Sequence, residues 1–312
     1  MIRVFQYQIT SGTTILDYLH TKGYTHRILA RLKRTENGIC VRHAGSAGAV
    51  WSHVSEELFP GDELIVTLYE KEEGPHPPVP VKLPVHVVYE DQDILVVDKA
   101  AGMPVHPSPG NRDNTLANAL AYHYRQPEEA FTCRIIDRLD KDTTGLLIVA
   151  RNALAAAVLC GDMKMRKICR TYLAVTENCF EPGNMQGIID APIARRDGSA
   201  IERCVDYEKG ESAVTRYRVL SQSEETKTAL VKIQLETGRT HQIRVHMSSI
   251  GHPLVGDTLY NPRERSGEAG SRGIGRQALH SWRLSFHHPM TGDTMDFEQP
   301  LPEDMRTLAA VF

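Results

Sequence analysis

The sequence has no apolar run long enough to cross a membrane. The longest, over residues 146–159, is interrupted by Arg151 and Asn152 and falls far short of the ~20 residues that span a bilayer. The first residues, MIRVFQYQITSG, also lack the apolar core and the small-residue cleavage site of a signal peptide. We therefore expect a cytoplasmic protein without a membrane partner.

Cysteine is sparse, and no two cysteines form a C-x-x-C pair. The six cysteines stand nine or more residues apart, a spacing that fits neither a zinc site nor a redox motif. The motifs GxGxxG, GxxxxGK(S/T), HExxH and GxSxG are absent as well, which removes the local signal for a dinucleotide site, a P-loop, a metalloprotease or a hydrolase. We therefore expect no cofactor and no bound metal.

The chain has little net charge, with a formal value of -3, but its charges are segregated. Residues 1–45 hold seven Lys/Arg against two Asp/Glu, whereas residues 55–98 hold two against eleven. A local basic surface can bind a polyanion under a negative total, because electrostatic fields are screened within about 10 Å. A solvated charged face is the alternative for either run.

A proline-rich segment marks the clearest boundary in the chain. EEGPHPPVPVKLP, residues 72–84, holds five prolines, which fix φ, remove backbone donors and favour an extended spacer. This pattern predicts a small basic domain over residues 1–71, a linker over 72–84 and a larger domain over 85–312. A chain of 312 residues is long enough for two domains.

Hydrophobic periodicity predicts an α+β protein. In the first domain, TTILDYLHTKGYTHRILARLKRTENG predicts two short helices around Gly23, and ICVRHAG and DELIVTLYE predict strands. In the second, strands are predicted in VHVVYEDQDILVVDK, GLLIVA and ICRTYLAVTE, helices in NALAAAVLCGDMKM and THQIRVHMSSIG, and hairpins over residues 213–236 and 278–300. Because hairpins outnumber βαβ units, we expect a mostly antiparallel mixed sheet.

Charged residues concentrate in RIIDRLDKDTTGLLIVARN, residues 134–152. This segment places Asp137, Asp140 and Asp142 beside two arginines, ahead of a TTG turn and an apolar run. Carboxylates beside cations stay ionised at neutral pH, as a nucleophile or a general base requires. An exposed loop whose charges merely pair is the alternative, and the pattern alone does not separate the two.

The charged segment and four others follow an order that is typical of one enzyme family. RLDKDTTG, residues 138–145, matches RLD-x-x-T-(S/T)-G. The others are VVDKAAGMPVHPSPGN, RTYLAV, LETGRTHQIRVHMSSIGHPLVGDTLYN and ALHSWRLSFHHPMTGD, and together the matches cover nearly all of residues 85–305. The second domain thus resembles the RluA family of RNA pseudouridine synthases. The first is similar to the small RNA-binding domain, named after a ribosomal small-subunit protein, that often precedes it.

Three positions depart from the family pattern. Asp137 stands where the family usually has histidine, Ala100 follows the lysine of the first segment in place of proline, and Arg170 replaces the lysine of the tyrosine strand. The first departure changes the charge beside the signature aspartate, whereas the other two are conservative.

The resemblance implies a pseudouridine synthase fold and the isomerisation of uridine in RNA, with ribosomal RNA expected before transfer RNA. It implies that Asp140 is the catalytic carboxylate, as nucleophile or base, that Arg244 pairs with it and that Tyr172 lies against the target base. It also implies that Arg138 helps to extrude the nucleotide, since an enzyme that acts on a base takes it out of the stack. Donors to RNA are expected from Arg239, Thr240, His241 and Gln242.

Other readings of the same residues stay open. Taken singly, Arg244 is compatible with a surface arginine, Tyr172 with a core tyrosine and Arg138 with a phosphate contact. A non-catalytic RNA-binding module would share the charge segregation without needing the ordered motifs. A monomer is the default expectation.

An aspartyl-phosphate phosphatase is a further alternative, because residues 140–144 spell D-x-D-x-T. That fold needs its motif directly after a buried strand, and here charged residues interrupt the preceding segment. It also needs a later acidic pair for magnesium, and GDTLYN supplies only Asp257.

Overall fold

The computed structural model of the protein describes residues 2–70, 77–125, 132, 134–266 and 272–309. Residues 72–76 of the expected linker lie outside these ranges, as does Cys133. The division of the chain at residues 72–84 therefore stays a prediction.

The described chain begins with a sheet and two short helices. Strands β1, β6, β3 and β4 form an antiparallel sheet in that order, and β2 pairs with β5. Thr14 caps α1 by accepting a hydrogen bond from the N–H of Asp17, and Gly23 follows the helix at φ 86°. The two predicted helices are confirmed. The elements are β1 (Ile2–Gln8), β2 (Thr13–Thr14), α1 (Ile15–Thr21), α2 (His26–Leu32), β3 (Ile39–Arg42), β4 (Val50–Trp51), β5 (Glu57–Leu58) and β6 (Glu63–Tyr69).

The remaining described residues form a body around one large sheet, together with a 3-10 turn at Pro182–Asn184. Its elements are β7 (His86–Glu90), β8 (Ile94–Lys99), α3 (Leu116–His123), β9 (Arg134–Ile135), β10 (Thr144–Ala150), α4 (Ala153–Lys164), β11 (Cys169–Glu177), β12 (Gln186–Asp190), β13 (Ile193–Arg195), β14 (Arg203–Val205), β15 (Val214–Ser223), β16 (Thr228–Leu235), α5 (Gln242–Ser249), α6 (Pro262–Ser266), β17 (Leu279–His287), β18 (Thr294–Glu298) and α7 (Glu303–Ala309).

The large sheet is mostly antiparallel. Its strands run in the order β12-β15-β16-β11-β17-β10-β8-β7, with β18 added to β17 and β9 to β10. Among the pairs that the described residues form in this sheet, β10–β17 alone is parallel. The expected α+β fold on a mostly antiparallel mixed sheet is confirmed. Within the same ranges, no helix is both long and apolar enough to span a bilayer.

Strand β10 lies inside the sheet and is buried along its whole length. Because successive side chains of a strand point to opposite faces, Leu147 and Val149 join one hydrophobic cluster while Leu146 and Ile148 join another. The apolar run after the TTG turn is therefore covered on both faces. The charged segment 137–143 leads directly into this buried strand.

The first sheet packs against α4 of the body. Its hydrophobic cluster includes Leu154 from that helix. Arg3 of β1 forms an ion pair with Asp93 at 2.7 Å, and Asp93 also accepts a hydrogen bond from Asn152, the N-cap of α4. Apolar and polar contacts therefore join the parts of the chain on either side of residues 71–76.

Gly145 should tolerate no side chain. It adopts φ +107°, and a Cβ there would lie 2.3 Å from the backbone oxygen of Ser281 in β17. Gly145→Ala should therefore lower the free energy of unfolding by about 3 kcal/mol, through backbone strain and separation of the two strands. Urea unfolding followed by circular dichroism measures the change.

The matched control is Gly161→Ala in α4, where a Cβ would meet no atom within 4 Å. Helix propensity should make this variant more stable by about 0.5–1 kcal/mol. Equal stability of the two variants would contradict the prediction for Gly145.

Candidate active site

A buried lysine anchors the charged loop between β9 and β10. Lys99, at the end of β8, is 1% exposed. Its ammonium donates hydrogen bonds to the backbone oxygens of Ala100 at 2.7 Å, Met103 at 2.9 Å and Lys141 at 2.8 Å. Burial lowers the pKa of Lys99 to about 7, although nearby carboxylates of the loop oppose that shift. The contact with Lys141 holds the loop at the residue that follows Asp140.

The three carboxylates of this loop lie in different surroundings. Asp137 is buried, its Oδ1 accepts a hydrogen bond from the N–H of Ile148, and burial raises its pKa. Asp142 is half-buried, and its backbone oxygen accepts a hydrogen bond from Arg276. The Asp140 side chain is 24% exposed and borders a cleft. Of the three carboxylates, Asp140 is therefore the one with access to this cleft.

A buried arginine holds Asp140. Arg244 of α5 donates from Nε and Nη2 to the two oxygens of Asp257, at 2.7 and 2.8 Å, and from Nη1 to Oδ2 of Asp140 at 3.1 Å. The Asp257 carboxylate is fully buried and also accepts from the N–H groups of Leu259 and Tyr260. Because a guanidinium is planar, the bidentate contact fixes the direction of Nη1. Burial by itself lowers the pKa of Arg244, but the two carboxylates raise it above its usual value.

Gln242 holds the start of α5. Its Oε1 accepts hydrogen bonds from the N–H of Arg239 at 2.9 Å and from Oγ1 of Thr237 at 2.8 Å. Its Nε2 donates to the oxygens of Val214 and Thr215, both at 3.0 Å. The amide is buried and has no donor left for RNA. Gln242 thus supports the turn before the helix, a position that differs from the RNA donor predicted from the sequence.

The other residues singled out in the sequence meet at the same place. Tyr172 of β11 is 3% exposed, and burial raises its pKa to about 12, so the phenol is neutral at physiological pH. His241 lies with Nε2 3.9 Å from Oδ2 of Asp140. Arg138 and Arg239 are exposed at the rim. The cleft is bordered by Arg138, Asp140, Tyr172, Arg239, His241, Gln242 and Arg244, and Thr240 borders an adjoining groove that Arg195 and Arg203 also line.

The walls of the cleft are partly apolar, with Leu139, Leu235, Ile243 and Leu279 among the lining residues. An apolar surface with a few converging polar groups is the usual form of a small-ligand site. Here the polar groups are one carboxylate, a phenol, an imidazole and guanidinium groups. This set suits a planar base attached to a sugar phosphate.

Lys99 and Asp257 support the site although the sequence analysis gave them no role in it. In the sequence, the only indication of a role for either residue was its position inside a segment that matches the family. Their importance comes from contacts across the chain: Lys99 reaches Lys141, and Asp257 reaches Arg244.

The described residues contain one group of acidic and imidazole side chains close enough to share a cation, formed by Asp91, Asp93 and His288. These atoms already have protein partners. Asp91 accepts from two backbone N–H groups and lies 2.9 Å from Nε2 of His288, while Asp93 accepts from Arg3 and Asn152. This group joins the first sheet to the body and does not border the cleft.

Comparison with known proteins gives the family. A sequence profile described as RNA pseudouridylate synthase matches residues 93–249. The chain is 42% identical to ribosomal large subunit pseudouridine synthase D of Pasteurella multocida over 232 residues, which cover 72% of this chain and 70% of the relative. The chain belongs to the RNA pseudouridine synthases. This confirms the family predicted from the motifs, and with it the enzyme class: the protein is an isomerase that converts uridine in RNA to pseudouridine.

Two further comparisons agree with this assignment. The synthase is 36% identical to the uncharacterized RNA pseudouridine synthase YjbO of Bacillus subtilis over 297 residues, which cover 95% of this chain and 98% of the relative. Its fold is similar to that of human RNA pseudouridylate synthase domain containing 1, with a TM-score of 0.56 and 28% identity, over 70% of this chain and 83% of the human one.

Asp257→Asn tests the support of Arg244. The change keeps the volume of the side chain and removes the charge that orients the guanidinium. We expect kcat to fall about tenfold to hundredfold, because a shift of about 1 Å in a positioning group is enough to disturb the geometry of Asp140. Release of tritium from RNA labelled at C5 of uridine measures the rate.

The control for Asp257→Asn is Glu303→Gln, which removes one partner of the exposed Glu303–Arg306 pair in α7. This variant should keep the wild-type kcat. A wild-type kcat in Asp257→Asn as well would show that Arg244 is positioned by other contacts.

Proposed function

We propose that the synthase isomerises uridines of the large-subunit ribosomal RNA, with Asp140 as the catalytic carboxylate. The name of the relative from Pasteurella multocida supports this class of RNA. The observation that carries the catalytic assignment is the ion pair between Arg244 and Asp140, at 3.1 Å, on the border of a cleft that Tyr172 also lines.

The reaction moves one uracil ring with no net gain or loss of atoms. The bond between N1 and the anomeric carbon breaks, a bond between C5 and the same carbon forms, C5 loses its proton and N1 gains one. Because no atom or electron enters from outside, we propose that no cofactor takes part. The protein has to stabilise developing charge on the sugar and on the base, and to assist one proton transfer.

We assign the sugar side of the reaction to Asp140. A carboxylate beneath the ring stabilises the positive charge that develops at the anomeric carbon, whether it bonds to that carbon or removes the neighbouring sugar proton. Arg244 orients the carboxylate through Oδ2 and balances its charge.

We assign the base side to Tyr172. Its phenol is neutral at physiological pH because burial raises its pKa to about 12. It therefore meets the uracil as an uncharged ring with one hydroxyl group, a surface that packs against a base and still offers a polar atom. Because a neutral phenol can accept a proton only as it releases its own, we assign to this hydroxyl a relay in which it takes up the C5 proton while its own proton passes towards N1.

The RNA strand is proposed to follow the basic rim of the cleft. Arg138 is exposed and lies two residues before Asp140. Its side chain is placed to fill the gap left in the stack of RNA bases when the target nucleotide is extruded. Cations of the adjoining groove suit the phosphates of neighbouring nucleotides. We assign to the RNA backbone Arg195, Arg203, Lys209, Arg239 and Thr240, which border that groove together with Arg138.

We propose that residues 1–71 form the RNA-binding domain expected from the sequence. The turn after α2 exposes Lys33 and Arg34, and further basic residues lie within the helix. We also propose a cytoplasmic location, because the relative from Pasteurella multocida is named for the ribosomal large subunit, and a monomer, because Asp140, Tyr172 and Arg244 already meet in one cleft.

The two alternative functions fit the site less well. A non-catalytic RNA-binding module has no need for a buried arginine directed at a single carboxylate. A phosphatase would need Asp257 for magnesium, but both oxygens of that carboxylate accept hydrogen bonds from Arg244.

Asp140→Asn tests the catalytic assignment. The change keeps the volume of the side chain and removes the charge on which the sugar chemistry depends, so we expect isomerisation to fall below detection while affinity for RNA is retained. Tritium release and fluorescence anisotropy measure the two quantities. Asp142→Asn in the same loop is the control and should remain active. Turnover comparable to wild type in Asp140→Asn would remove this residue from the mechanism.

Lys33→Gln and Arg34→Gln test the RNA-binding role of the first residues. If each cation contacts a phosphate, each substitution should lower the slope of log affinity against log salt by about 0.7 for single-stranded RNA. Turnover at saturating RNA should not change, because neither residue lines the cleft and Lys33 borders a separate pocket with Leu32 and Trp51. Titrations at several salt concentrations with full-length ribosomal RNA measure the slope.

The control for these two variants is Lys227→Gln, in the turn between β15 and β16 at the opposite end of β16 from the cleft residue Leu235. It should leave the slope unchanged. An unchanged slope in the Lys33→Gln/Arg34→Gln double variant would show that the basic run is a solvated face.

A further inference from the structure

We infer that His241 takes part in the reaction as a neutral donor, with the proton on Nε2 directed at Asp140, and that Tyr260 is the positioning residue that selects this tautomer. The inference deepens the proposed function and rests on Asp140 being the catalytic carboxylate. It follows from a chain of hydrogen bonds that begins in β14 and ends in the cleft.

The backbone of His241 is held in an unusual conformation. The residue has φ 57° and ψ 18°, directly before α5. A residue other than glycine is uncommon in this left-handed region, and such strain is often found at functional sites. In this conformation the imidazole lies between Asp140 and Tyr260, with Nε2 3.9 Å from the carboxylate and Nδ1 2.8 Å from the phenol oxygen.

The hydrogen bonds of Tyr260 settle the position of its proton. The N–H of Arg203 lies 2.8 Å from the phenol oxygen, and a backbone N–H is only a donor, so the oxygen accepts there. Across the described part of the chain, Nδ1 of His241 is the acceptor within reach of the phenol proton. Tyr260 therefore donates to Nδ1. In a neutral imidazole one nitrogen accepts and the other donates, so the ring proton lies on Nε2.

The surroundings of the imidazole favour the neutral ring. Burial lowers the pKa of His241, the charges of Asp140 and Asp257 oppose this, and those of Arg244 and Arg203 add to it. The net direction is downward, so the ring is neutral at physiological pH.

The two donors around Asp140 face the same oxygen. Oδ2 accepts from Nη1 of Arg244 at 3.1 Å and faces Nε2 of His241 at 3.9 Å. The second contact is longer than a hydrogen bond, as catalytic hydrogen bonds often are before substrate binds. Oδ1 is then the oxygen left to face the nucleotide. A neutral imidazole orients the carboxylate without cancelling the charge that the sugar chemistry uses.

Tyr260 also contacts the second partner of Asp140. The Cζ atom of Arg244 lies 5.0 Å from the centre of the Tyr260 ring, a distance typical of a cation–π contact. Tyr260→Phe keeps this contact and removes the hydroxyl, and with it the hydrogen bonds to His241 and from the N–H of Arg203.

The first measurement is the tautomer of His241 in the full-length protein, by nitrogen-15 NMR of histidine-labelled samples, with the His241 signals assigned by their loss in His241→Gln. The wild type should show the proton on Nε2, and Tyr260→Phe should show a mixture of both tautomers. A proton on Nδ1 in the wild type would overturn the inference. So would an unchanged tautomer in Tyr260→Phe, whether or not that variant is less stable.

The second measurement compares two substitutions of His241 by tritium release. The amide of His241→Gln reaches the position of Nε2, whereas that of His241→Asn reaches only the position of Nδ1. We expect kcat of the Asn variant to fall about a hundredfold, the usual cost of one lost preorganised donor, with little change in KM. The Gln variant should retain clearly more activity, and Tyr260→Phe should lie between the two.

Equal losses in His241→Gln and His241→Asn, with Asp140→Asn inactive, would overturn this inference and leave the proposed function intact. Wild-type activity in Asp140→Asn would overturn the proposed function instead. The two failures are therefore distinguishable.

Discussion

A buried arginine whose direction is fixed is the constraint on which the site depends. A guanidinium can be buried only when its charge and its donors are matched. Asp257 does both for Arg244 along the edge formed by Nε and Nη2, which leaves Nη1 for Asp140. Because the Asp257 carboxylate is itself enclosed and held by backbone N–H groups, the direction of Nη1 is decided by buried parts of the chain. The position of Asp140, the proposed catalytic carboxylate, is fixed through the same contacts.

Buried hydrogen-bond networks hold both sides of the cleft in position. On one side Lys99 donates to three backbone oxygens and ties down the loop at Lys141. On the other, the amide of Gln242 has four partners around the start of α5. Fully satisfied buried polar groups make a rigid network, and catalysis needs its groups held to a fraction of an ångström. The large sheet supplies the platform, and these networks supply the final alignment.

Local patterns in the sequence predicted most of the fold. The alternation in the β15–β16 hairpin and the apolar run of β10 can be recognised from the sequence because both patterns involve neighbouring residues. Strand β1 was not predicted, because Val4 and Phe5 are adjacent apolar residues and the residue types do not alternate, although burial does alternate along the folded strand. The motifs predicted Asp140 as the catalytic carboxylate and Arg244 as its partner, but not the residues that hold them. The roles of Lys99, Asp257 and Tyr260 depend on partners that only the folded chain brings close. Gln242 is the opposite case, because it lies in a motif but its amide donates to Val214 and Thr215 within the protein.

The same reasoning explains how Asp137 can replace the histidine of the family pattern. In the extended run before the turn, Asp137 and Leu139 are buried while Arg138 is exposed, so successive side chains point to opposite sides. Asp137 therefore points into the body, where Oδ1 accepts from Ile148. Burial raises its pKa, and the charge of Arg170, itself buried, opposes that shift. These surroundings disfavour the charged form of Asp137, and the ion pair between Arg244 and Asp140 keeps its own partners.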